Sequence, residues 1–355
     1  MILVLNSFIV MELNIKNQRV LDRYNLCVRR YLWGANCFKK LKQQANRHGT
    51  PNITEYSWNR KISCYYVELF NFPHDKEELF ASFVSSTAKA FGLSIEKVVE
   101  IVNDSNDKSN SEEKELPKLA IQFDKAAKSS LVSCGEYISY KIPNKLLNKI
   151  GNDPHFLETF INYYSLNPSS GSFWSLGLKT YEVLQSSDKG IISLECFASP
   201  FNYNIKSFCS AFSSDRKLDY DDDTKCYGDF FSYINILQSY KHPVRLILNP
   251  PYTDRIIDAM ASKVVDYMAE HADGEFIAVL PDWTDQPGMV SLMNIEGSVS
   301  QSFGSGTFKL WNPIEETNFA ANFKMIAIVN IRHDSKQSEE KLKRLVEVAT
   351  ISGDD

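Results

Sequence analysis

An apolar run that stops on two consecutive prolines leaves the backbone few options, and residues 244–283 contain one. Val244-Arg245-Leu246-Ile247-Leu248 ends on Asn249-Pro250-Pro251-Tyr252; a helix-length run continues to about His271, and a second apolar run ends on Pro281-Asp282-Trp283. Strand, turn, helix, strand is the repeating unit of a parallel sheet, because parallel neighbours need a long crossover between them. Each proline locks its own φ near −65°, so the turn is rigid. Open α/β sheets keep their ligands outside the carboxyl ends of the strands, where this turn is predicted to lie.

The residue types at that turn suit a planar amine. An exocyclic amine on adenine is a poor nucleophile because its lone pair is delocalised into the ring, so a catalyst must localise that pair and aim it at an electrophilic methyl. The Asn249 side-chain oxygen and the Pro250 carbonyl are acceptors for the two amine hydrogens. Tyr252 offers a ring to stack on the base, an interaction worth about 1–3 kcal/mol per base in other systems. The rate would come from positioning rather than from an acid or a base. Enzymes that methylate the planar amide of glutamine share Asn-Pro-Pro-Tyr, so the motif names the reaction better than the substrate.

Composition narrows the setting. The 355 residues are enough for two domains, and the net charge of −5 is unevenly spread. Residues 1–65 hold eleven Lys and Arg against three Asp and Glu, or +8, which leaves −13 for the remainder. Seven cysteines, odd in number and without a Cys-x-x-Cys pair, point to reduced thiols in an intracellular protein, nucleus or cytoplasm being left open. No structural metal is expected. The apolar residues 1–11 are too short to span a bilayer and read as a buried strand or helix start, so no membrane association is expected.

Along the chain, residues 12–48 read as a basic helix in which Arg29, Arg30, Lys39 and Lys40 alternate with aromatic residues. That mixture fits an RNA-facing surface, since cations neutralise phosphates and rings stack on unpaired bases. It equally fits a solvated helix face whose rings point into the core. Residues 61–70 read as a strand, 75–91 and 94–102 as helices, and the wholly polar stretch 103–115 as a mobile loop. The turn-rich residues 167–172 mark a boundary between a mainly helical, basic ancillary domain at 1–166 and an α/β domain at 167–334, with a charged, frayed helix or tail over 335–355. In the second domain, strand 191–194 runs into Glu195, Phe197, Ala198, Ser199, Pro200 and Asn202, where small residues would let backbone approach a cofactor. Trp283, at the end of the second strand, is a candidate wall of a base pocket or a core residue. The acids Asp219, Asp221, Asp222 and Asp223 read as a solvated turn.

Residues 195–212, Glu-Cys-Phe-Ala-Ser-Pro-Phe-Asn-Tyr-Asn-Ile-Lys-Ser-Phe-Cys-Ser-Ala-Phe, closely resemble the corresponding stretch of the phosphorylated-CTD-interacting factor family of cap-specific adenosine N6-methyltransferases. Asn249-Pro250-Pro251-Tyr252, Leu280-Pro281-Asp282-Trp283 and Phe303-Gly304-Ser305-Gly306 follow in the family's order. The resemblance covers roughly residues 173–331 and implies a Rossmann-like S-adenosylmethionine-dependent methyltransferase core behind a mainly helical N-terminal domain. It implies S-adenosyl-L-methionine as methyl donor and, as substrate, the adenosine beside a 7-methylguanosine cap on the 5′ end of an mRNA. By motif, Asn249, Pro250, Pro251 and Tyr252 would be catalytic, residues 195–202 would shape the cofactor site, and Gly304, Ser305 and Gly306 would lie near the substrate. Three departures stand out: Tyr252 where the family favours Phe, Asp282 where it favours Glu, and no WW domain of the kind the animal members carry. The rival readings are adenine N6-methylation of DNA or uncapped RNA, glutamine methylation of a protein, and a catalytically silent cap-binding module.

Overall fold

A computed structural model describes residues 2–5, 8–11, 18–47, 53–110, 119–122, 129–134, 138–144, 147, 153, 155–166, 174–186, 191–237, 244–313 and 315–351. The expected turn at 167–172 lies outside the described residues. The chain divides into two compact units, one of residues 1–145 with 154–172 and one of residues 146–153 with 173–355.

In the first unit the apolar N-terminal residues form an antiparallel pair, β1 (Ile2–Leu5) and β2 (Phe8–Met11). Four helices follow: α1 (Gln18–Arg47), α2 (Glu55–Asn71), α3 (Lys76–Phe91) and α4 (Ile95–Asn110). Then come the antiparallel strands β3 (Leu119–Gln122), β4 (Ser129–Cys134) and β5 (Ile138–Pro143), and helix α5 (Phe156–Leu166).

Two expectations are corrected here. Residues 61–70 are helical, within α2, and not a strand. Trp58, Ile62 and Tyr66 recur every fourth residue and bury against Trp33, Cys37 and Leu41, spaced the same way on α1, and against Phe83 and Phe91 of α3. Thr54 caps the helix by accepting from the Ser57 amide. Packing of a 3.6-residue stripe outweighs the strand preference of a Tyr-Tyr-Val sequence. Residues 103–110, expected in a loop, extend α4; Ser105 is fully buried there, and Asp104 pairs with Lys40 of α1.

The second unit runs β6 (Ser175–Leu176), α6 (Leu178–Gln185), β7 (Ile192–Glu195), β8 (Ser207–Phe208), β9 (Lys225–Cys226) and α7 (Phe230–Leu237). It continues with β10 (Val244–Leu248), α8 (Asp254–Glu270), β11 (Glu275–Pro281), α9 (Pro287–Met293) and β12 (Val299–Phe303). It ends with β13 (Lys309–Asn312), β14 (Thr317–Ala320), β15 (Met325–Ile331) and α10 (Ser335–Ala349).

Seven of these strands form one sheet in the order β12-β15-β11-β10-β7-β8-β9, while β14-β13-β6 form a small antiparallel sheet. In the large sheet only β15 runs against the others. Every residue of β10, β11 and β15 is buried, as expected for strands covered on both faces. The two-residue side-chain period divides them cleanly: Leu246, Leu248, Phe276, Ala278 and Leu280 enter one core with α7, α8 and α9, whereas Ile247, Ile277 and Val279 enter another with α6 and α10. The fold is thus a mixed α/β sandwich around a mostly parallel sheet. Helix α10, expected to fray, is docked by Leu342, Leu345 and Ala349. No helix among the described residues is long and apolar enough to cross a membrane.

Candidate active site at the carboxyl edge of the sheet

The sheet order locates a crevice. From β7 the chain builds outward through β8 and β9, then returns to the other side of β7 to place β10 and β11. Order reverses between β7 and β10, and that is where open α/β sheets bind ligands. The loops leaving these two strands are residues 196–206 and 249–253, so the residues singled out for cofactor and catalysis leave neighbouring strands at one edge.

At the end of β10, Pro250 is buried and Pro251 is exposed. The Pro251 carbonyl accepts from the Thr253 amide (2.9 Å), and Thr253 caps α8 through the Ile256 amide (3.4 Å). The Tyr252 hydroxyl donates to Asn249 Oδ1 at 2.9 Å, and its ring meets Phe323 edge-on, with centroids 5.9 Å apart. Burial holds the Tyr252 phenol above its ordinary range, so it stays protonated and remains a donor. An amide oxygen has two lone pairs, so Oδ1 keeps one for a ligand. No donor among the described residues reaches the Pro250 carbonyl.

The loop after β7 is self-closed. Asn202 Oδ1 accepts from the Ser199 amide (2.7 Å) and the Ser199 hydroxyl (2.8 Å), while the Ser199 hydroxyl accepts from the Phe201 amide (3.1 Å). Ala198, Ser199 and Pro200 are buried. Glu195 is 5% exposed, and both of its carboxylate oxygens are used: Oε1 accepts from the Tyr181 hydroxyl at 2.6 Å, and Oε2 from the Asn204 and Ile205 amides at 2.8 and 3.0 Å. Glu195 therefore shapes the loop from beneath. Burial pushes its carboxyl up to about 7, against the lowering effect of those three donors.

The edge is walled by aromatic residues. Phe197 is half-buried and packs against Phe230 (4.8 Å between centroids) and Phe231 (5.9 Å). Trp283 is also half-buried against the same core. Beside it at the end of β11, Asp282 donates its amide to the Lys324 carbonyl (2.9 Å), while its Oδ1 is buried with no hydrogen-bond partner. Unanswered acceptors at the ends of β10 and β11, beside half-buried rings, fit a flat ligand carrying N–H or O–H groups. The residues present are compatible with S-adenosylmethionine on that ground.

Gly304, Ser305 and Gly306 form an exposed turn after β12, closed by the Gly306 amide on the Ala321 carbonyl (2.7 Å). β12 runs parallel to β10, so the turn lies at the same edge, three strands away. Three steps of the usual spacing make roughly 15 Å.

The four cations singled out on α1 are differently engaged. Arg29 and Lys39 are exposed. Arg30 lies over the Tyr66 ring at 4.3 Å, and Lys40 is tied to Asp104. Asp219, Asp221, Asp222 and Asp223 are exposed, Asp223 pairing with Lys206. Among the described residues no group of three or more His, Cys, Asp or Glu is arranged to hold a metal.

Tyr181, the Asn204 and Ile205 amides and Phe323 were missed by sequence reasoning. Phe323 lies about seventy residues from Tyr252 in the chain, and only the antiparallel insertion of β15 beside β11 brings it there. Tyr181 carried a weak signal, as a buried polar ring on a helix preceding a strand that ends in an acid.

The fold and edge define an α/β protein with a ligand crevice at a topological switch point. Residues 158–302 match the family described as phosphorylated CTD interacting factor 1 WW domain. The matched span includes residues 195–212, Asn249 to Tyr252 and Leu280 to Trp283 and so bears out the resemblance read there, while Phe303 to Gly306 lies beyond it. Over 101 residues the chain is 30% identical to the mRNA (2′-O-methyladenosine-N(6)-)-methyltransferase of Mus musculus and 29% identical to that of Homo sapiens. Those alignments cover 27% of this chain and 12% of each relative.

Proposed function

We propose that this chain is an S-adenosylmethionine-dependent methyltransferase acting on the exocyclic amine of an adenosine beside the cap of an mRNA. The observation that carries the reading is the pair of acceptors at the end of β10, Asn249 Oδ1 and the Pro250 carbonyl, beside the switch-point crevice. The two mammalian relatives named as mRNA adenosine methyltransferases support the substrate.

Each residue has a task. Asn249 Oδ1 and the Pro250 carbonyl accept the two N–H bonds of the amine, which draws its lone pair out of conjugation. The Tyr252 hydroxyl fixes the Asn249 amide with its oxygen available, and Phe323 holds the Tyr252 ring. Phe197 and the loop of Ala198, Ser199, Pro200 and Asn202 would hold S-adenosylmethionine, with Glu195 supporting that loop from below, and Trp283 would wall the base. When bound, that cofactor supplies a methyl on a positively charged sulfur. With the cofactor in place, Asn249 Oδ1 and the Pro250 carbonyl would hold the amine in line for methylation, and the proton the amine loses would pass to solvent. Most of the acceleration is entropic and electrostatic.

The base must leave its stack to reach this edge, which costs little at a single-stranded 5′ end. Arg29 and Lys39 provide exposed cations for phosphates, so affinity should fall steeply with salt. An intracellular setting is part of the same proposal, on the odd number of cysteines and the lack of a Cys-x-x-Cys pair in the sequence.

The test is methyl transfer from labelled S-adenosylmethionine to short RNAs beginning with adenosine, one capped with 7-methylguanosine and one bearing a triphosphate. N6-methyladenosine on the capped RNA alone, absent with Asn249→Ala, is the expected result. Equal transfer to both would remove the cap from the reading. Transfer only to duplex DNA or to protein glutamine would overturn the substrate.

A further inference from the structure

The first unit contains a cleft of about 580 Å³ between α2 and α3, and none of the residues assigned to methyl transfer lines it. That volume lies in the usual range for small-molecule sites. Ser57, Lys61, Tyr65 and Glu68 recur at helical spacing along one face of α2, and Ser82 and Ser86 lie one turn apart on α3. The floor is aromatic: Trp58, Phe83 and Phe91 are buried, with the Trp58 N–H spent on the Gly34 carbonyl (2.9 Å). Tyr65 is half-buried, its ring packed on Phe83 at 4.7 Å between centroids.

The charge on this cleft is incomplete. Arg60 and Lys61 both line it, and neither meets a carboxylate among the described residues. Lys61 donates to the Ser86 hydroxyl at 2.7 Å. That neutral partner leaves the ammonium uncompensated, and burial lowers its pKa below the ordinary lysine value. A half-desolvated cation, a second cation beside it and the Ser57 and Ser82 hydroxyls complement an oxyanion, while Ser86 spends its hydrogen on the Phe83 carbonyl and Glu68, the one carboxylate lining the cleft, stands two turns along α2 from Lys61. A half-open tyrosine ring a turn further along α2 complements a planar base. A helical peptide docked in the groove would instead leave the cations facing apolar side chains.

We propose that this cleft binds one unpaired RNA nucleotide other than the adenosine that is methylated, its phosphate on Arg60 and Lys61 and its base on Tyr65. The proposal rests on the reading that the chain acts on RNA and adds a second point of attachment to it. Such a site would favour single-stranded over paired transcripts, since a base must be splayed out to enter.

The experiment uses the full chain, an uncapped fluorescent single-stranded RNA and fluorescence anisotropy across a salt series. Arg60→Glu and Lys61→Gln are compared with the parent, each checked for its helical circular dichroism. Arg60 is exposed, so Arg60→Glu tests the cleft even if Lys61→Gln perturbs the helix. The expected result is weakening of about tenfold for Arg60→Glu, with the slope of log affinity on log salt shallower by roughly 0.7 per lost phosphate contact. Adenosine monophosphate should compete where equal inorganic phosphate or adenosine does not. Unchanged affinity and slope in both variants, or equal competition by phosphate alone, would overturn the proposal. The two readings fail separately. Methyl transfer that persists with RNA affinity indifferent to Arg60 and Lys61 removes the cleft alone, whereas Arg60-dependent RNA binding by a chain that transfers no methyl removes the catalytic reading and keeps the cleft.

Discussion

At the amino ends of β10 and β11 the buried charges are answered, whereas at their carboxyl ends acceptors are left waiting. Glu275, the first residue of β11, is 2% exposed and receives Arg245 (2.6 Å) on one oxygen and Arg332 (2.9 Å) on the other. Arg245, 4% exposed, also donates to the Leu184 and Ser186 carbonyls at 2.9 and 2.7 Å, and Lys341 of α10 donates to Ser186 as well. At the far end of the same strand, Asp282 Oδ1 has no partner, and one strand over the Pro250 carbonyl has none either among the described residues. The same strands with opposite ends teach that polar satisfaction is distributed by task. One edge closes the fold, and the other keeps hydrogen-bonding capacity for a ligand, at a cost in stability that unpaired buried groups always carry.

The sharpest way to break this contrast is at the closed edge. Glu275→Ala leaves Arg245 buried and without its carboxylate, and should destabilise the second unit by about 3–5 kcal/mol in urea unfolding. At the open edge, Asn249→Ala should lower kcat by about 10²–10³, or about 2.7–4 kcal/mol of transition-state stabilisation. Its unfolding free energy should change by less than about 1.5 kcal/mol, since only the bond from Tyr252 is lost. Equal effects of the two substitutions on stability would erase the distinction.

Glu195 lies between the extremes, buried and fully bonded yet beneath the open edge. Its folded-state pKa of about 7 exceeds the ordinary 4.5, so the folded chain binds this proton more tightly than the unfolded chain does. The contribution is therefore complete below about pH 4.5 and is lost as pH rises through about 7. Glu195→Gln, which keeps an acceptor for the Asn204 and Ile205 amides, should flatten that part of the stability profile measured by thermal melts between pH 4.5 and 7.5. A profile as steep in the variant as in the parent would remove Glu195 as its source. The smallest effect is expected from Tyr252→Phe, which installs the family's usual ring and removes one hydroxyl. A loss of about 0.5–1.5 kcal/mol, read as a kcat decrease with KM nearly unchanged, would identify the hydroxyl as a positioning group for Asn249.

Much of the second unit was legible because fully buried strands read as continuous apolar runs. Residues 244–248 and 276–280 have no other reasonable reading once Asn-Pro-Pro and Pro-Asp bound them. The switch point was not legible, because β8 and β9 are only two residues each and leave no periodic trace. Nor could sequence show that Asn202 and Glu195 spend their polar atoms inside the loop, since both bonds depend on how residues 199–205 fold back. In the first unit, Tyr65, Tyr66 and Val67 favoured a strand by local preference, and the four-residue recurrence of Trp58, Ile62 and Tyr66 decided otherwise. That misreading also hid the cleft, since Lys61, Tyr65 and Glu68 share a face only on a helix.

The most direct measurement is single-turnover methyl transfer by the parent chain and Asn249→Ala, with S-adenosylmethionine and the capped adenosine RNA both saturating and the two proteins matched in melting temperature. The expected result is N6-methyladenosine from the parent and a rate at least about 10² lower from the variant. Undiminished transfer by Asn249→Ala would contradict it, because the acceptors at the end of β10 would then not be what holds the amine.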